Sequence, residues 1–434
     1  MRADAPRVAL RTLGCKVNRA ESESLAEALT RFGVVVGLAD EGADAVVVNT
    51  CTVTAEADAK ARKEVRRALG ATTGPVVVTG CLAVLDAEGL RSLGDRVAVL
   101  TERESLPARI AGLLGVGLPA CSGEAGTGPG SARGAARAFR TRALVKIQDG
   151  CDNRCAYCIV PDARGVPRSV AADDVVARVE DLAAAGVSEV VLTGVNLGRY
   201  DGGGTAPDLA ALIGRLADTG ISRVRLSSIE PPDLTVRLLS AIAAAGNVVP
   251  HLHVPLQSGS DRTLLAMRRR YDTGAYADSL ERARDAIPAV AVTTDVIAGF
   301  PGETDRDAAV SLSFIGSCGF AKLHVFRYSE RAGTPAAAAT DHVAAATKSE
   351  RARALRDLSG TLERAYAAGR AGQRAHLLVE TVREGAALGT TEDHLRIRAD
   401  VPGARPGDLV CVDLALSDDG SLRGYYVEGM RAKP

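Results

Sequence analysis

From residue 7 onward the chain alternates short β-branched runs with helical ones: R-V-A-L-R-T-L-G-C, E-S-E-S-L-A-E-A-L-T-R-F-G, A-D-A-V-V-V-N-T-C, a long charged stretch to Leu69, then G-P-V-V-V-T-G-C. Such alternation implies a parallel sheet, because each helical crossover returns the chain to the same end of the sheet. The rhythm breaks between about Gly115 and Arg142, where Gly, Ala, Pro, Ser and Arg take over, and it resumes from Ala143. The break reads as a flexible linker and domain boundary. Six or more further β/α units point to a barrel or partial barrel with chemistry at the C-terminal strand ends. Past about Gly369, short strands broken by turns predict a small β-barrel. The expected fold is α/β: a parallel α/β domain over residues 1–115, a linker over 116–142, a partial (β/α) barrel over 143–369 and a β-barrel over 370–434.

Cysteines stand at conspicuous points of this pattern. Cys15, Cys51 and Cys81 each fall at the C-terminal end of a predicted strand. In open parallel sheets that edge forms the ligand crevice, so three distant thiols can converge there. A second set, Cys151, Cys155 and Cys158, has the spacing C-x3-C-x2-C within K-I-Q-D-G-C-D-N-R-C-A-Y-C-I-V-P-D-A-R-G. Three thiolates can hold three irons of a cubane cluster and leave the fourth iron open to a small molecule. A structural zinc site needs a fourth ligand, and none lies nearby in sequence. The remaining cysteines, Cys121, Cys318 and Cys411, read as small buried or incidental residues.

Composition narrows the class of protein. With 46% apolar residues in 434, the chain has ample material for a core. Nine cysteines, an odd number, fit metal or redox use better than a disulfide framework. The start M-R-A-D-A-P-R lacks the apolar stretch of a signal peptide, and no run approaches the roughly eighteen apolar residues of a membrane span, so a cytoplasmic location is expected. Lys and Arg total 53 against 53 Asp and Glu, so no whole-molecule field draws the protein to nucleic acid or an acidic membrane. RNA contact would rest on local patches: Met267–Tyr271 (M-R-R-R-Y), Lys60–Arg67, Arg164 and Arg168. Each of these, taken alone, is more often a solvated face.

The C-x3-C-x2-C loop, with Tyr157 before its last cysteine, resembles that of the radical S-adenosylmethionine (SAM) enzymes. L-G-C-K-V-N, N-T-C-T-V-T and T-G-C-L-A resemble the N-terminal domain of the methylthiotransferases, the group with a second cluster. The resemblance implies two [4Fe-4S] clusters, one on Cys15, Cys51 and Cys81 and one on Cys151, Cys155 and Cys158, with SAM chelating the open iron of the latter. That cluster's electron would cleave SAM to a 5′-deoxyadenosyl radical. By the same resemblance SAM contacts fall on Tyr157, on Thr193, Gly194 and Asn196, on Ser227, Ser228 and Glu230, on Gln257, Ser258 and Gly259, and on Ile297 and Gly299 ahead of G-F-P-G-E-T. The C-terminal barrel is similar to the RNA-binding TRAM module, with His394 where that module suggests an aromatic. As a separate module it would be removable near Ala371 at the expense of tRNA binding but not of SAM cleavage.

G-C-K-V-N, T-C-T-V-T and the cluster loop resemble the subgroup acting on N6-threonylcarbamoyladenosine in tRNA. Isopentenyladenosine in tRNA and a ribosomal-protein aspartate are the alternative substrates. A non-catalytic iron–sulfur RNA-binding protein is the alternative of another class. The implied partners are tRNA, an electron donor such as flavodoxin or ferredoxin, and a sulfur source the sequence does not specify; no membrane partner is implied. His251 and His253 alternate along one predicted strand and read as polar residues of the barrel interior rather than ligands.

Overall fold

The structure is a computed structural model that describes residues 5–38, 42–117, 141–204 and 208–431. The chain forms two compact units. The first takes the described residues up to 117 and, from further along, Cys158–Val166; the second takes Thr141–Tyr157 and the chain from Pro167 on. Most of the expected linker, residues 118–140 with Cys121, lies outside the described residues.

In the first unit, five parallel strands run β1 (Arg7–Thr12), β2 (Val35–Gly37), β3 (Ala45–Thr50), β4 (Val76–Gly80) and β5 (Val97–Val99), in the spatial order β2-β1-β3-β4-β5. β3 is buried along its whole length, as a near-continuous apolar strand covered on both faces must be. Ala45 and Val47 pack to one side with Leu25 and Leu29 of helix Lys16–Arg31 and with Ile110. Val46 and Val48 pack to the other with Ala61, Val65 and Ala68 of helix Ala55–Ala71. This doubly wound order reverses direction between β1 and β3, and ligands of such sheets bind outside the C-terminal strand ends at that point. Cys15 and Cys51 follow the two strands that flank it.

The short helix Val160–Arg164 packs on helix Cys81–Leu85 within the same unit. The sequence reading assigns residues 158–166 to the barrel because they continue the cysteine loop. Packing places them instead: Ala163 and the Arg164 side chain are buried.

The second unit contains six parallel strands in two groups. One is β6 (Arg142–Lys146), β9 (Glu189–Thr193) and β10 (Arg223–Leu226); the other is β11 (His251–His253), β12 (Ala291–Ala298) and β13 (Lys322–Arg327). Between β6 and β9 the chain forms a two-residue antiparallel pair, β7 (Gln148–Asp149) with β8 (Arg168–Ser169). Isolated bridges Val224↔Val248 and Ser228↔His253 join the two groups into one arc. Val190, Leu192, Val224, Leu226, Leu252, Val292 and Val296 face the surrounding helices in the main core. By alternation their neighbours Thr193, Arg225, Ser227, His253, Thr293 and Asp295 line the inside of the arc.

Helix Ala345–Arg370, not anticipated from sequence, leads to a closed barrel of five strands: β14 (Arg374–Arg383), β15 (Ala386–Thr391), β16 (Arg396–Asp400), β17 (Leu409–Leu416) and β18 (Leu422–Arg431). Four of these are legible in the sequence. The fifth, A-A-L-G-T-T, carries Gly389, whose missing side chain lets Leu378 O approach to within 2.1 Å of where a Cβ would sit. No helix among the described residues is long and apolar enough to cross a membrane.

Candidate functional site

The loops after β1, β3 and β4 are drawn together by one buried side chain. Asn18 Nδ2 donates to Leu13 O at 3.0 Å and Thr50 O at 2.8 Å. Its Oδ1 stands 3.8 Å from Cys15 Sγ and 4.0 Å from Cys81 Sγ. Cys51 and Cys81 are buried and Cys15 is exposed. Burial pushes the Cys81 thiol up to about 11, against the pull of the Arg164 guanidinium, and Cys15 and Cys51 push it further. Burial raises Cys51 as well. Thiols so placed ionise readily only when a cation takes the proton's place, which is what metal ligation does. The donor set, three sulfurs sharing one crevice edge, fits an iron–sulfur cluster in which each iron takes one thiolate. Among the described residues, no three such side chains close on one point as around a single metal ion.

Two glycines make this convergence possible. A Cβ at Gly14, whose φ is +96°, would lie 2.4 Å from Cys51 Cβ and 2.6 Å from its Sγ. One at Gly80, φ +92°, would lie 2.3 Å from Thr50 O. Gly14→Ala should therefore displace Cys51 and add backbone strain of about 1–3 kcal/mol. The expected result is a lowered melting temperature and loss of roughly half of the bound iron after anaerobic reconstitution, measured by iron assay.

Arg164 belongs to this site. Its Nη2 donates to Asn18 Oδ1 at 2.5 Å and its Nη1 to Glu21 Oε1 at 3.0 Å, and Arg103 reaches the same carboxylate at 3.3 Å. With its side chain buried, it cannot meet an RNA phosphate, which corrects the sequence expectation.

The central cysteine loop follows β7, turned by Gly150 at φ 74° and Arg154 at φ 50°. Asn153 N donates to Cys151 Sγ at 3.5 Å. Burial raises the Cys151 thiol, partly offset by that amide. Tyr157 sits edge-on to Phe300, with centroids 6.5 Å apart, beside Ile297, Tyr328 and Met267.

The other expected SAM contacts gather at the C-terminal ends of the arc's strands. Thr193 ends β9, and Ser227 follows β10, its neighbour in the sheet. Both hydroxyls are buried and have no hydrogen-bond partner among the described residues. Buried polar atoms left without partners need an explanation, and a bound polar ligand supplies one. Gly194 packs on Gln148, whose Oε1 accepts from Asn196 N at 2.9 Å. Gln257, at φ 71°, is held through its backbone: its N donates to Asp295 O at 2.8 Å and its O accepts from Ile297 N at 2.9 Å. Ser258 is buried, and Gly259 backs onto helix Asp305–Ser317, its N donating to Ser311 Oγ at 2.8 Å. Ser228 bridges to His253. Gly299, φ 74°, donates to Glu303 and leaves room for Lys348, whose Cγ would be 2.4 Å from a Cβ there. Close helix packing thus accounts for Gly259 and Gly299 without a ligand.

Glu230 pairs with Arg269, a residue read from sequence as part of a basic surface run. Arg269 has a side chain only 3% exposed and donates to Cys155 Sγ at 3.0 Å, so it is not a phosphate contact. Arg268, Arg270, Arg168 and the basic residues of Lys60–Arg67 other than Arg62, which is half-buried, are exposed. The signal for Arg269 lay in its neighbours Met267 and Tyr271, both buried, which pin the run to the core. Inside the arc, Thr293 Oγ1 meets His251 Nε2 at 3.1 Å and His253 Nδ1 at 2.9 Å, and His253 Nε2 lies 3.3 Å from Asp295. The two histidines are interior polar residues, as expected.

Residues 145–315 match the Radical SAM superfamily and residues 7–101 match Uncharacterized protein family UPF0004. The chain is 36% identical to "Threonylcarbamoyladenosine tRNA methylthiotransferase MtaB" of Bacillus subtilis, covering 90% of this chain and 89% of that one. It is 33% identical to the protein of the same name from Thermotoga maritima, over 97% and 98%. A "tRNA-2-methylthio-N(6)-dimethylallyladenosine synthase" of Sphingopyxis alaskensis is 32% identical, again over 97% and 98%. In fold, the chain is similar to the radical SAM methyltransferase TsrM of Kitasatospora setae, with TM-score 0.56 at 15% identity over 77% of this chain and 75% of that one. Fold and cysteine sites define a radical SAM enzyme, whose family uses SAM and a [4Fe-4S] cluster. Within that class, the chain belongs to the radical SAM methylthiotransferase family.

Proposed function

We propose that the protein inserts sulfur at C2 of N6-threonylcarbamoyladenosine, beside the anticodon of tRNA, and methylates it. The observation that carries this reading is the pair of three-cysteine sets, one at the C-terminal ends of β1, β3 and β4 and one in the loop that follows β7, each lacking a fourth protein ligand nearby in sequence. Relatives named for this reaction match over nearly the whole chain. The C2–H bond of adenine is too strong and too weakly acidic for a general base, and the SAM-derived radical supplies the alternative chemistry.

Cys151, Cys155 and Cys158 hold the cluster that binds SAM, and Cys15, Cys51 and Cys81 hold a second cluster that handles sulfur. Tyr157 and Ile297 offer apolar walls, and the buried hydroxyls of Thr193 and Ser227 offer polar contacts to SAM. Gly194, Asn196, Ser228, Glu230, Gln257, Ser258, Gly259 and Gly299 shape the strand ends around them. An electron donor of the flavodoxin or ferredoxin class completes the reaction. Exposed Arg168, Arg268 and Arg270 are the candidates for tRNA phosphate.

Anaerobically reconstituted protein should carry about eight irons as two cubane clusters. Iron near four, with Cys15, Cys51 and Cys81 freely alkylated, would remove the second site. The substrate is tested by mass spectrometry of tRNA nucleosides from a deletion strain: the methylthio form of threonylcarbamoyladenosine should vanish. Loss of methylthio-isopentenyladenosine instead would favour the second reading, which the Sphingopyxis relative supports.

A further inference from the structure

After helix Asp261–Ala266 the chain turns through Arg268 at φ 58°. Met267 O accepts from Ala156 N at 2.9 Å, which ties this turn to the central cysteine loop. The turn directs Arg269 inward. Its Nη1 donates to Cys155 Sγ at 3.0 Å and to Tyr157 OH at 3.3 Å. Its Nε and Nη2 reach Tyr271 OH at 3.0 and 2.9 Å, and Nη2 also pairs with Glu230. Tyr271 in turn donates to Pro255 O at 2.6 Å.

A clamp that only braced the turn would need no contact to sulfur. Arg269 instead places a buried positive charge and an N–H donor on one of the three cysteines of the loop. Hydrogen bonds to ligand sulfur and local net charge are two of the levers that set an iron–sulfur cluster's potential. We propose that the Arg269–Glu230 pair tunes the reduction potential of the cluster held by Cys151, Cys155 and Cys158, an inference that rests on the reading of that loop given above. The guanidinium favours the added electron by withdrawing charge from the Cys155 thiolate. Glu230 is its counter-charge and moderates the effect. Arg269 is thus a positioning and tuning residue.

The test uses the full chain carrying Cys15→Ala, Cys51→Ala and Cys81→Ala, so that only the central loop holds a cluster. Anaerobic redox titration is followed by electron paramagnetic resonance, without SAM or tRNA, after iron content is checked. Arg269→Gln should make one-electron reduction about tenfold less favourable, a fall of about 59 mV. Glu230→Gln should move the potential the opposite way, and Arg269→Lys should fall between Arg269→Gln and the parent. A loaded Arg269→Gln protein with the parent's potential overturns the proposal, as do shifts of the same sign in both variants. If Arg269→Gln does not hold iron, an unmoved potential in Glu230→Gln overturns it equally. A parent protein that binds no cluster overturns the reading of the loop as well, which separates the two failures.

Discussion

Cys51→Ala protein should cleave SAM reductively to 5′-deoxyadenosine yet form no methylthio product, whereas Cys151→Ala, Cys155→Ala or Cys158→Ala should form neither. On the proposed assignment, the cluster held by the central loop would supply both the electron and the iron that chelates SAM, so loss of one ligand should remove radical production. Cys51 lies in the first compact unit, after β3; on the same assignment its loss should leave SAM cleavage intact but take away the sulfur-handling site. Each variant is incubated anaerobically with SAM, reductant and tRNA, and both products are measured in the same sample. Folding and the remaining cluster are verified first. A folded Cys51→Ala enzyme that methylthiolates near the wild-type rate would sink the two-cluster mechanism.

The second large effect concerns Glu189, at the start of β9 and fully buried. Its carboxylate lies 2.9 Å from Arg225 Nε, 2.8 Å from Arg223 Nη2 and 3.1 Å from Arg142 Nε. Burial works to raise its pKa, but the three guanidiniums outweigh burial and hold it at about 2. Burial meanwhile lowers Arg223 to about 10 despite Glu189. The network's net contribution is therefore modest, while breaking it is costly: Glu189→Ala leaves three cations together in a dry place and should destabilise by about 3–5 kcal/mol. Because the folded pKa lies below the unfolded value near 4.5, the Glu189 contribution is fully present above about pH 4.5. It is lost as pH falls toward 2. Chemical denaturation of wild type and Glu189→Ala across pH 2–7 checks this; a gap that does not narrow at acid pH would refute it.

The same arginines bind the C-terminal barrel. Arg225 donates to Glu392 O at 2.9 Å and Thr391 O at 3.2 Å, Arg142 pairs with Glu380 at 2.5 Å, and the rings of His251 and His394 lie 4.9 Å apart. His394 is thus turned toward the arc, at φ 73°, rather than offered to RNA. Truncation near Ala371 would strip these partners and expose the N-terminal strand ends. The expectation of a cleanly removable module gives way to loss of stability in the (β/α) unit itself.

What the sequence determined by itself was whatever depends on local order: the β/α rhythm, the strand-end cysteines, and the C-x3-C-x2-C spacing. Strand periodicity is a property of neighbouring residues, and a cysteine trio within eight residues needs no folding to be seen. The sheet order that sets Cys15 and Cys51 beside a switch point came only from tertiary structure, because pairing partners are distant in the chain. So did the fate of the arginines. Arg164 and Arg269 read as surface charge because an arginine without an obvious partner in sequence usually is, yet each is buried against partners far away in sequence: Glu21 and Asn18 for one, Glu230 and Cys155 for the other. Glu189 carried no motif at all, since its three partners come from the two neighbouring strands, Arg142 from β6 and Arg223 and Arg225 from β10. Burial of a charge is decided by what packs over it, and no local pattern encodes that.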